Sequence, residues 1–166
     1  QDHLILESPI LALESAKLVV LNMGNVAQQM FHTTIEYSFN EDHKLLDNGL
    51  QYEEMLDTID KKAHDYLVKI AQGGLTGAAS QDQAEYVDTI RDFERIGDHL
   101  TNLVEFFRER YSESQLLSAD GTTDLNELYD VLSQMLNDTL ESFANEDPVV
   151  ARRVVENEDV VDELEE

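Results

Sequence analysis

Apolar residues along this chain recur at intervals of three and four, and no stretch alternates apolar and polar one by one. After Ser8-Pro9, a cap residue followed by proline at the first helical position, Leu13, Ala16, Val20, Met23, Ala27, Met30 and Tyr37 mark one such stripe. Tyr52, Leu56, Ile59, Ala63, Tyr66 and Ile70 mark a second, closed by Gly73-Gly74. Ser80 with Gln83 reads as a capping box that opens a third, with Tyr86, Ile90, Phe93, Gly97, Leu100, Val104 and Phe107 on its stripe. Gly121 and the Thr122–Asp124 cap are expected before a fourth, which carries Leu125, Leu128, Leu132, Met135, Thr139 and Phe143. Asp147-Pro148 repeats the cap-plus-proline signal and starts a fifth. Five amphipathic helices and no strand pattern predict an all-α, antiparallel helical bundle.

Composition narrows the chemistry. The chain has 166 residues and no cysteine, which excludes disulfides, thiol catalysis, cysteine–zinc sites and iron–sulfur clusters. The longest aliphatic run, Leu18 to Leu21, is too short to span a bilayer, and no signal peptide is visible, so the chain is expected to work in water. Its formal charge is −25, from 36 acidic against 11 basic residues. Such a surface repels nucleic acid and anionic lipid and attracts cations. Solubility or adaptation to high salt explains the bulk charge equally well, so only the placement of the acids can say more.

The chain also repeats itself with an offset of 105 residues. "MFHTTIEYSFNED" (30–42) lies over "MLNDTLESFANED" (135–147), and the same offset lays "YEEMLD" (52–57) over "NEDVVD" (157–162). Eight identities in 28 ungapped positions stand against roughly two by chance. Glu53 falls on Glu158 and Asp57 on Asp162. The second copy is expected to be cut short at Glu166, leaving three helices of one repeat and two of the next.

The acids are placed unevenly. At about 100° per residue, Glu53, Asp57, Asp60 and His64 share a narrow arc beside the second stripe, and Arg91, Glu94, Asp98, Thr101 and Glu105 share a similar strip on the third helix. Antiparallel packing of the two helices by their apolar stripes would set these acidic edges side by side. Carboxylates four apart repel on a helix unless something neutralises them, and a divalent or trivalent cation does so. The Glu/Asp-x-x-x-Asp spacing is weak alone, as Asp88–Asp92 and Asp138–Ser142 show, but it recurs at 53/57, 94/98 and 158/162. Spacing leaves two readings open: a cation site, or a solvated acidic face with Arg91 and Arg95 as local counterions. All-oxygen sites suit magnesium, calcium or manganese, and one added imidazole admits iron or zinc. His64 is on the strip, whereas His99 points away from Asp98 and reads as a surface histidine. No Glu-x-x-His pair of the di-iron type, serine–histidine pair or Gly-rich phosphate loop is present, so catalysis is not expected. Gly97 lies on the apolar stripe, where a glycine admits a neighbouring backbone.

"DFERIGDHLTNLVE" (92–105) resembles the signature helix of PhoU-like domains, a variant of L-E-R-I-G-D-H-A followed by an asparagine, with Phe93 and Leu100 in place of the usual Leu and Ala. The resemblance covers most of the chain from about residue 12 and implies a three-helix repeat over 9–112 followed by a truncated second repeat over 122–166. It implies metal ligation by Glu53, Asp57, Glu94 and Asp98, and by Glu158 and Asp162 in the second repeat, with Asp60 and His64 as weaker candidates. The partner of the Glu158/Asp162 pair would lie beyond Glu166, so that site is expected to be incomplete. The metal would be iron, zinc, manganese or magnesium. The opening "ESPILALESAKLVVLNMG" (7–24) is similar to the stretch where bacterial-type sodium:phosphate symporters leave the membrane and begin a PhoU-like tail. The resemblance therefore implies a non-catalytic regulatory domain of phosphate transport on the cytoplasmic side of the cell membrane. It would partner a membrane transporter portion of the same or another chain, without nucleic acid and without inserting into the bilayer itself, and leaves room for a homodimer. A free-standing regulator of a phosphate ABC transporter and a plain acidic interaction module are the alternatives.

Overall fold

The structure, a computed structural model, describes residues 8–145 and 148–165. It is all α-helix: α1 Pro9–Phe39, α2 His43–Gln72, α3 Gly77–Ser112, α4 Ala119–Asn145 and α5 Pro148–Glu165. Contacts give the directions. Leu56 meets Gly97 and Gly49 meets Val104, so α2 runs antiparallel to α3. Lys17 meets the Phe143 ring and Phe31 meets Tyr129, so α1 runs antiparallel to α4. The helices α1, α2 and α3 pack on one another, α4 lies against α1 and α3, and α5 packs chiefly on α4.

The expected stripes are the core. Every residue assigned to the stripes of α1, α3 and α4 is buried. On α2 the stripe is thinner: Leu56, Ala63 and Ile70 are buried, Tyr52, Ile59 and Tyr66 only half so, and Leu67 takes a core position the stripe omitted. A helix packed on one side only needs fewer apolar positions, which leaves the flanks of α2 to polar residues. Residues of α1, a helix long and apolar enough to cross a membrane by length and composition, supply the centre of this core: Val20, Met23 and Ala27 have no exposed surface.

Two helix starts differ from expectation. α3 begins at Gly77, with Thr76 as the cap residue, not at Ser80. The Gln83 side chain does not close a capping box; its Nε2 donates to the Leu67 carbonyl of α2, 3.4 Å away. α4 begins at Ala119, because Ser118 Oγ accepts from the Gly121 N–H at 3.0 Å and so caps the helix at least four residues earlier than Thr122–Asp124 would. At the start of α2, Asp42 caps by accepting from the Lys44 N–H at 2.9 Å. Asp147, the cap expected before α5, lies outside the described residues.

Candidate functional site

The groove between α2 and α3 exists because small and apolar residues bring the two helices close. A Cβ on Gly97 would stand 3.0 Å from Leu56 Cδ1, so the glycine makes room for the Leu56 side chain of α2 rather than for the neighbouring backbone expected from the sequence. Directly outside that contact is a small cavity of about 10 Å³, lined by Glu53 and Asp57 of α2, by Glu94, Asp98 and Thr101 of α3, and by Met23, Met30, Leu56 and Gly97 beneath them. A space of that size is about what one water occupies. The four carboxylates predicted from the spacing therefore ring one opening with an apolar floor.

Their electrostatics record the crowding. Glu53 is held above its ordinary carboxylate range, first by burial and then by Asp57, Glu105 and Asp98, while a hydrogen bond from Thr101 opposes the shift. Glu94 is raised by burial and then by Asp60, Asp98 and Asp57, with His64 opposing. Asp60 is raised by burial, with His64 countering and Asp57 and Asp98 adding to it. The causes run across the groove, so acids of α2 and α3 act on one another. Among the described residues no Lys or Arg forms a salt bridge with Glu53, Asp57, Glu94 or Asp98.

A finished ligand set is not in place: among the described residues, no three His, Asp or Glu side chains form a group that could hold a metal. The donor chemistry nevertheless fits a hard cation. Asp57, Glu94 and Asp98 are exposed, so their side chains have room to turn toward a common ion, while Glu53 is half-buried and held by its hydrogen bond from Thr101. Asp60 and His64 lie further along α2 and line no part of this cavity.

Glu158 and Asp162 are held elsewhere. Arg95, a local counterion of the groove acids in the solvated-face reading, pairs instead with α5: its Nη1 donates to Glu158 Oε2 at 2.6 Å. His99 is not a surface residue: its side chain is 12% exposed and its Nε2 stands 3.9 Å from Asp162 Oδ1. Arg95, Asp98, His99, Asn102, Glu158 and Asp162 line a second cavity of about 410 Å³. Asp98 borders both spaces. Asp92, set aside at the sequence level as background, sits behind this cluster with its pKa pushed up to about 7 by burial and then by Glu158. The pairing of Arg95 with a residue 63 positions away left no local signal in the sequence.

An all-α bundle with a signature helix on one wall of an acidic groove defines the class of protein. The chain belongs to the PhoU domain family, whose model matches residues 20–107 and 125–166. It is similar to two curated relatives, each named phosphate-specific transport system accessory protein PhoU homolog. With that of Xylella fastidiosa (strain 9a5c) it shares 23% identity over 142 residues, covering 84% of this chain and 58% of the relative. With that of Aquifex aeolicus (strain VF5) it shares 23% over 159 residues, covering 92% and 68%. The chain thus spans little more than half the length of the Xylella relative. No solved structure matches it.

Proposed function

We propose that this chain is a non-catalytic regulatory domain of phosphate transport whose α2–α3 groove binds a divalent or trivalent cation. The observation that carries the cation reading is the ring of Glu53, Asp57, Glu94 and Asp98 around one small cavity, with no salt bridge to Lys or Arg among the described residues. Like charges at that density destabilise the helix pair; an ion such as iron, zinc, manganese or magnesium removes the repulsion and ties α2 to α3. A cation that binds only the closed pair shifts the population toward it and so biases how the domain docks on its partner. The names of the relatives, accessory proteins of phosphate-specific transport, support a transporter as that partner, and we place the domain on the cytoplasmic side of the cell membrane. The unit of residues 9–112 carries the groove, and 122–166 is a partial second repeat.

Two attachments are compatible with this role. The stretch at 7–24 supports a tail covalently joined to a sodium-dependent phosphate symporter, although Glu7 lies outside the described residues. The relatives' names favour a separate accessory protein. Sequencing upstream of Gln1 decides: several hydrophobic spans there mean a tail, and their absence a separate protein.

The cation reading is tested by melting the metal-free chain with and without manganese, iron, zinc and magnesium. An ion at 100 times its Kd stabilises by about 2.7 kcal/mol, which for a chain of this size raises Tm by roughly 5–10 °C. Glu94→Ala with Asp98→Ala is expected to abolish the rise. If no ion shifts Tm and the double substitution changes nothing, the groove is only a solvated acidic face.

A further inference from the structure

One member of the second carboxylate pair, Glu158, already has a cationic partner from within the protein. Glu158 is buried, with its side chain 10% exposed, while the Arg95 side chain that reaches it is 61% exposed. A buried carboxylate needs a compensating charge far more than an exposed guanidinium does. Glu158 Oε2 has that charge at 2.6 Å, but Oε1 is buried with no hydrogen-bond partner among the described residues. It is an acceptor left open beside a cavity of about 410 Å³ that Asp162, Asp98, His99 and Asn102 also line. Oxygen and imidazole donors thus surround Glu158, and the one positive group among them that is always charged is Arg95.

We infer that the Arg95 guanidinium is the resident cation of the Glu158/Asp162 pair: it occupies the carboxylate face a metal ion would bind, keeps that site closed, and latches α5 to the signature helix α3. The inference rests on the reading of the Glu-x-x-x-Asp pairs as cation sites. It changes what that reading says of this chain, because the first pair of helices offers an open groove while the buried carboxylate of the second motif, Glu158, is already paired with an arginine. The two are adjacent, since Asp98 borders both cavities. The latch joins residues that rise together along α3 and α5, Arg95 with Glu158 and His99 with Asp162. It holds α5 against a helix on which it otherwise has few contacts.

The test is a titration with Mn²⁺ alone, read by the electron paramagnetic resonance of the free ion, in a background where Glu53→Gln with Glu94→Gln has silenced the groove. Arg95→Gln in that background is expected to gain one saturable Mn²⁺ per chain, and adding Glu158→Gln to lose it again. Arg95→Lys, which keeps a cation at the site, is expected to gain none. Hydrogen exchange gives a second readout: α5 amides exchange faster in Arg95→Gln and recover protection when Mn²⁺ is added, even if the variant is too weakly folded to titrate. No gained equivalent and no recovered protection would overturn the inference. Comparison of the parent chain with the Glu53→Gln/Glu94→Gln background measures the groove separately, so an inert groove beside a gained site, or the reverse, is read directly.

Discussion

Gly24 shows how a single position can hold three helices together. A Cβ built there would lie 2.5 Å from Leu140 Cδ2 of α4 and 2.8 Å from Phe93 Cζ of α3. Phe93 has no exposed surface and so no room to retreat. Gly24→Ala gains about 1 kcal/mol of helix propensity, but overpacking a full core costs about 1–3 kcal/mol. It is expected to lower stability in urea melts. Gly97→Ala is expected to stay within about 1 kcal/mol of the parent, because the same propensity gain meets only the flexible end of Leu56, 3.0 Å away. Gly97 was legible in the sequence because it falls on a stripe inside a recognisable motif. Gly24 falls beside its stripe, at the end of the 7–24 stretch, where nothing in the sequence marks a close contact, so only the packing of α1 between α3 and α4 reveals it.

Asp92 argues the same scale for charge. Burial, then Glu158, raises its pKa from 3.8 to about 7, with Arg95 opposing and Asp88 adding to the rise. A carboxyl with a raised folded pKa holds its proton longer in the native state than in the unfolded chain. Its contribution is therefore complete below about pH 3.8 and is lost as pH rises through about 7. Asp92→Asn should match the parent near pH 4 and exceed it above pH 8 by on the order of 1–3 kcal/mol. Urea melts at the two pH values check this; equal stability of the two proteins above pH 8 would show that Asp92 is not buried as its neighbours imply.

At the scale of helices, the sequence is most legible where a helix turns a broad apolar stripe into the core, and less so on α2, whose stripe is thinner. The stripes of α1, α3 and α4 follow the 3.6-residue period because each of these helices packs into the shared core of the bundle, so their stripe residues fall where the period puts them. Starts are less legible because several capping residues compete within a turn. Ser80 offered a good capping box, yet Thr76 begins α3 and Gln83 is drawn across to Leu67. The groove was legible for a related reason: both of its carboxylate pairs are local patterns on helices whose packing follows from their stripes. The Arg95–Glu158 latch was not, since it depends on where α5 meets α3. Nor was the Asp138–Arg153 contact between α4 and α5, in which a carboxylate only 1% exposed accepts from Gln134 at 2.8 Å and lies 3.5 Å from Arg153. The two contacts are alike in kind: α5, short and acid-rich, is tied to the bundle by arginine–carboxylate pairs as well as by Val161, which is fully buried.

At the scale of the molecule, the question is whether the −25 charge is a general feature of the surface or is concentrated in effect at the groove. Salt and pH separate the two. General repulsion between exposed charges is screened within about 8 Å at physiological ionic strength and about 3 Å at 1 M, so raising monovalent salt relieves it smoothly and without saturation. In 1 M KCl that relief is nearly spent, and any further rise in Tm on adding micromolar to millimolar Mn²⁺ belongs to a specific site. The pH dependence has its own sign. Glu53, Glu94 and Asp60 are all raised above their ordinary values of 4.5, 4.5 and 3.8, so in the metal-free chain their favourable contribution is complete below those values and is lost as pH climbs through the raised range. A bound cation requires the carboxylates ionised and reverses the trend, stabilising the chain as pH rises. Melting curves from pH 4 to 8 in 1 M KCl are therefore expected to diverge with pH, the Mn²⁺-loaded chain above the metal-free one. In Glu53→Gln/Glu94→Gln the two curves should coincide. Parallel curves at every pH in the parent chain would mean that the acids act only together, as a surface, and that the groove has no cation of its own.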